Sequence, residues 1–134
     1  MNILHKTAHR TLIKVSLAVM VVLFVYGLML QSALAASLSL SPGTGVYTSG
    51  STFTVNVRVN TQGKEINAAE GTMKFNTSEL SVVNVSRGSS IFNLWVAEPT
   101  FSNSAGTISF SGGSPSGYSG SGGTVMSVTF RAAG

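Results

Sequence analysis

The sequence predicts an all-β fold, an antiparallel β-sandwich, behind an apolar N-terminal segment. Three observations carry this. From Ala36 onward apolar residues recur with period two, and no stretch sustains a helical period. The alternating stretches are short and are separated by Gly, Ser, Asn and Pro. Before Ala36 the pattern changes to a basic segment followed by an uncharged apolar run.

That N-terminal pattern reads as a targeting signal over residues 1–35. Lys6, Arg10 and Lys14 form a positive region, Val15 to Leu30 form the apolar run, and "SALA" places small residues at Ala33 and Ala35. Cleavage is expected between Ala35 and Ala36. The alternative is an uncleaved helical membrane anchor. The run is longer than a usual signal core of about 7–15 residues, and shorter than the ~20 that span comfortably. Either way residues 36–134 leave the cytoplasm, and any membrane contact is through this segment. The chain has no cysteine, so an exported domain of this size must hold by its core alone.

The strands follow in order. "SLSLS" (37–41) alternates on Leu38 and Leu40, and Pro42-Gly43 ends it. "TFTVNVRVN" (52–60) points Phe53, Val55, Val57 and Val59 one way, and Thr54, Asn56, Arg58 and Asn60 the other. "GTMKFN" (71–76) alternates on Met73 and Phe75. "NTSEL" reads as a short turn capped by Asn76 or Thr77. "LSVVNVS" (80–86) carries Leu80, Val82, Val83 and Val85. "GTISFS" (106–111) alternates on Ile108 and Phe110, and "TVMSVTFR" (124–131) on Met126, Val128 and Phe130. Between the last two lies "GGSPSGYSGSGG" (112–123). Its composition suits a linker, but its position between two strands of one type makes it a mobile or tightly turned loop within the fold.

The order of these pieces resembles the cohesin domain. The resemblance runs from Ala36 to the end of the chain. It rests on "LSLSPGTGVYTSGSTFTVNVRV", "INAAEGTMKFNTSELSVVNVSRGS", "NSAGTISFSGG" and "GSGGTVMSVTFRA". It implies a sandwich of jelly-roll type, related in fold to cellulose-binding carbohydrate modules. It also implies a dockerin-type protein partner in polysaccharide-associated assemblies outside the cell. Asn76 stands where the family often has Asp. The family usually continues for two more strands, one on the partner-gripping face and one closing the sandwich against the first strand. The resemblance therefore implies that residues 36–134 alone are marginally stable or prone to associate.

Composition excludes several functions. The net charge of +4 comes mainly from the targeting segment. After it, Arg58, Lys64, Lys74, Arg87 and Arg131 nearly balance Glu65, Glu70, Glu79 and Glu98, with no basic cluster to face a nucleic acid. His5 and His9 are the chain's two histidines and sit in the targeting segment. A Ser-His-Asp triad or zinc site therefore has no ligands in the exported part. Glu65 and Glu70 are the nearest carboxylates, and neither position suggests a catalytic pair. The expectation is a non-enzyme without cofactor or metal.

The binding candidates are surface groups. Glu70, Thr72 and Lys74 have outward parity on the third strand, and Thr107, Ser109 and Ser111 on the "GTISFS" strand. The resemblance places both strands in the dockerin-binding sheet; their alternative role is plain solvated surface. The alternative readings are a carbohydrate-binding module of the related fold with a polysaccharide partner, for which Trp95 and Tyr118 are candidate carbohydrate contacts, or a structural surface or adhesin domain. For Trp95 the alternative is packing on the sandwich.

Overall fold

The computed structural model describes residues 19–20 and 35–133. Val19 and Met20 are helical; the remainder of the expected N-terminal helix lies outside the described residues. Ala35 and Ala36 are exposed and precede the first strand.

Residues 37–132 form seven strands: β1 (Ser37–Ser41), β2 (Thr52–Asn60), β3 (Ile66–Lys74), β4 (Leu80–Ser86), β5 (Leu94–Ser102), β6 (Thr107–Tyr118) and β7 (Gly123–Ala132). They make two antiparallel sheets, ordered β1-β2-β7-β4 and β3-β6-β5. The chain changes sheet between β2 and β3, β3 and β4, β4 and β5, and β6 and β7. Each change is made by a short connection. At Thr61–Lys64, Gln62 (φ 54°) and Gly63 (φ 76°) both take left-handed backbone. The Lys64 amide donates to the Thr61 carbonyl at 3.0 Å. Asn76 caps the next turn as expected: its Oδ1 accepts from the Ser78 amide at 3.1 Å and the Ser78 hydroxyl at 2.7 Å.

Period-two burial builds the core. Val55, Val57 and Val59 of β2 face Ile108 and Phe110 of β6, joined by Val82, Phe92, Val125, Met126, Val128 and Phe130. Ile108, Val125, Met126 and Val128 are fully buried. Each such side chain contributes roughly 1.5–3 kcal/mol. Two bulges alter the simple alternation. A register shift between Val57 and Arg58, opposite β7, lets both Val125 and Met126 turn inward. A second shift between Val82 and Asn84 turns Val83 outward, 47% exposed, while Val82 stays buried. Asn103, in the β5–β6 turn, supports this bulged edge. Its Oδ1 accepts from the Val82 amide at 2.7 Å, and its Nδ2 donates to the Val82 carbonyl at 3.0 Å. A side-chain amide thus completes both backbone bonds of an edge residue.

Two expectations are corrected. The segment 112–123 is not a loop throughout: β6 runs to Tyr118, and only Ser119–Gly122 turn. The reason is pairing on both sides. Gly112 and Gly113 sit opposite Ala69 and Ala68 of β3, and opposite Trp95 and Leu94 of β5. A Cβ on Gly112 would lie 2.7 Å from the Trp95 ring, and one on Gly113 would strike the Asn67 carbonyl. These glycines permit close packing in a central strand; they do not loosen it. The second correction is β5, a strand the alternation did not reveal. Register shifts at Trp95/Ala97 and Ala97/Thr100 break its period.

The outer face of the four-stranded sheet is polar apart from Val83. Register aligns Ser39, Arg58 and Thr124 across three strands, and Ser41, Asn56, Ser127 and Ser86 across four. Thr54, Thr129 and Asn84 form the next row, and Thr52, Arg131 and Ser81 the one after. Hydrogen bonds join Ser127 to Asn56 at 2.7 Å and Thr54 to Thr129 at 3.2 Å. Among the described residues, β1 and β3 each have one unpaired edge. The cleft between those edges is apolar, lined by Leu38, Leu40, Val57, Met73 and Phe110, with Leu38 and Leu40 45% and 47% exposed.

Candidate partner-binding face

The three-stranded sheet buries one side and presents the other. Ile108 and Phe110 of β6 point into the core, so Thr107, Ser109 and Ser111 point away from it. Antiparallel register then sets β3 beside them: Glu70 opposite Ser111, Thr72 opposite Ser109, Lys74 opposite Thr107. All six residues expected on this face are brought together. The Thr72 and Ser109 hydroxyls are 3.1 Å apart and hydrogen-bonded, which confirms that they share one side.

β5 completes the face. Ala97 pairs with Ser111, Thr100 with Ser109 and Ser102 with Thr107. Three rows therefore cross the sheet: Glu70–Ser111–Ala97, Thr72–Ser109–Thr100 and Lys74–Thr107–Ser102. The first two of these rows line a shallow open depression of about 360 Å³ with Glu98 at its side. Glu98 is held by Arg87 at 2.9 Å, both side chains about half exposed. Such a pair is worth at most about 1 kcal/mol. Its effect here is to place one carboxylate at the border of the face. Leu94 and Val96 of β5 are 56% and 84% exposed, and give an otherwise hydroxyl-rich surface an apolar margin.

The contributions of Ala97, Glu98 and Thr100 were invisible to periodicity, because Pro99 and the two register shifts hide the strand. The signal that could have found them is compositional: Trp95, Val96, Thr100 and Phe101 are all residues that favour strands.

The aromatic candidates separate. Trp95 stands on the inward parity of β5, half-buried, over Gly112 and edge-on to Phe92 at 6.0 Å. Gly112 leaves the space its indole fills, so Trp95 packs the sandwich and is not presented as an open sugar platform. Tyr118 lies elsewhere, at the end of β6. It lines a polar concavity beside β1 and β2 with Ser39, Ser41, Arg58 and Ser121.

No curated protein matches the chain. Among solved structures, a crystal structure of a CaDoc0917–CaCohA2 complex at pH 5.5 contains a similar chain. The match has a TM-score of 0.60 at 18% identity, covering 74% of this chain and 72% of that one. At that identity the likeness is one of fold, two antiparallel sheets packed face to face. The cohesin domain family matches residues 39–134, from within β1 to the end of β7. The span takes in both sheets and every strand of the candidate face, and by it the chain belongs to the cohesin domain family.

Proposed function

We propose that the protein is an exported, non-catalytic attachment module that binds a dockerin-type partner on the outer face of β3, β6 and β5. The observation that carries this is the set of three aligned rows on one solvent-facing sheet surface. Hydroxyls occupy its middle, Glu70 and Lys74 stand on the rows either side of Thr72, and Leu94 and Val96 supply apolar contact at one margin. Hydrogen-bonding groups framed by opposite charges give specificity and orientation more than raw affinity. The family membership and the likeness to a chain from a CaDoc0917–CaCohA2 complex support a dockerin as the partner. The N-terminal pattern, with small residues at Ala33 and Ala35, supports export to the cell surface or beyond. An extracellular, polysaccharide-associated assembly is where such attachment serves.

Surface plasmon resonance against a panel of dockerin modules tests the reading. At least one is expected to bind. Lys74→Glu, which leaves the inward Met73 and Phe75 untouched, is expected to lower the association rate about tenfold. Failure of every dockerin to bind at micromolar concentration overturns the proposal. Binding that ignores both Lys74→Glu and Glu70→Lys moves the site off this sheet.

A further inference from the structure

We infer a second binding site, on the other sheet, for an acidic polysaccharide bearing uronic-acid residues. It does not depend on the dockerin reading. The site is centred on the concavity of about 520 Å³ whose lining is polar apart from Leu40 and includes Ser39, Ser41, Arg58, Tyr118 and Ser121.

The glycine-rich turn is shaped around two of these side chains. A Cβ on Gly123 would lie 2.6 Å from Cζ of Tyr118, and one on Gly122 would lie 2.7 Å from Nη2 of Arg58. Any larger residue would push the phenol or the guanidinium out of place. Arg58 is fixed further by the Gly122 carbonyl, which accepts from Nε at 3.0 Å and Nη2 at 2.6 Å. Among the described residues no acceptor takes the Nη1 hydrogens, and Arg58 has no carboxylate partner. A positioned guanidinium in a concavity without carboxylates selects an anion, and carboxylate geometry suits it.

The remaining groups decide what kind of anion. The Ser39, Ser41, Ser121 and Tyr118 hydroxyls each donate and accept hydrogen bonds, which matches a polyol. The sheet face continuing from the concavity carries hydroxyls and amides, with Arg58 and Arg131 as the charged groups that the register places on it. Those two arginines are six residues apart along β2 register, roughly 20 Å at strand rise. A phosphate backbone calls instead for clustered cations. Sparse positive charge on a hydroxyl-rich face fits a chain of sugars with carboxylates at intervals.

Affinity electrophoresis of the full chain in non-ionic detergent tests this. Gels would contain polygalacturonate, neutral hydroxyethylcellulose or polyglutamate. Retardation by polygalacturonate alone is expected. Arg58→Gln should weaken it at least tenfold. Ser39→Glu, which sets a carboxylate on exposed edge strand β1 without touching the turn, should weaken it as much. Lys74→Gln, the same loss of charge on the opposite sheet, should change it less than twofold. No retardation by polygalacturonate overturns the inference. So does equal retardation by polyglutamate, or an equal loss in Lys74→Gln, since either would make the effect one of net charge.

Discussion

Replacing Gly112 by alanine tests whether the glycine-rich segment is a packed central strand. The new methyl would lie 2.7 Å from one Trp95 ring carbon and 3.0 Å from two others. Its closest neighbours are thus side-chain atoms that can yield, so the expected response is displacement of the indole with β6 still paired. Overpacking costs about 1–3 kcal/mol, and partial loss of Trp95 burial falls within the same range. A net loss of about 2 kcal/mol is expected, against a total stability of roughly 5–15 kcal/mol. For a domain of about 100 residues this lowers Tm by roughly 8–16 °C. Because Trp95 is the chain's single tryptophan, native-state fluorescence reports the displacement directly, as a red shift. Gly113→Ala is the sharper companion: its methyl would meet the Asn67 backbone carbonyl, which cannot swing aside, so the loss should exceed that of Gly112→Ala. Unchanged Tm and emission in Gly112→Ala would refute the packing argument and return the segment to a loose linker.

Other outcomes follow from the same packing. Met126→Ala, at a fully buried position, should cost about 2–5 kcal/mol, measured by urea unfolding. Asn103→Ala leaves the Val82 amide and carbonyl without their side-chain partners. It should cost about 1–3 kcal/mol and speed hydrogen exchange at Val82 relative to Val128. The unpaired edge of β1, with half-exposed Leu38 and Leu40, should drive concentration-dependent association. Light scattering should show Leu40→Lys to be more monomeric than the parent chain; equal association in both would place the sticky surface elsewhere.

The amino-acid sequence by itself determined the class of fold and the side of each regular strand that is buried. Period two is a local property, so Val55, Val57 and Val59 declared their face without help from any neighbour, as did Ile108 and Phe110. The same parity placed Glu70, Thr72, Lys74, Thr107, Ser109 and Ser111 outward, and the Asn76 cap was legible because it is completed within two residues. Only the tertiary structure decided what depends on a partner strand. Register is a relation between distant segments, so the three rows of the proposed binding face could not be read before β3, β6 and β5 were set side by side. β5 stayed hidden because its bulges exist only in pairing. Gly112 and Gly113 read as a spacer because composition records the absent side chain, while what that absence accommodates, Trp95 on one side and the Asn67 carbonyl on the other, is supplied by residues far away in the chain.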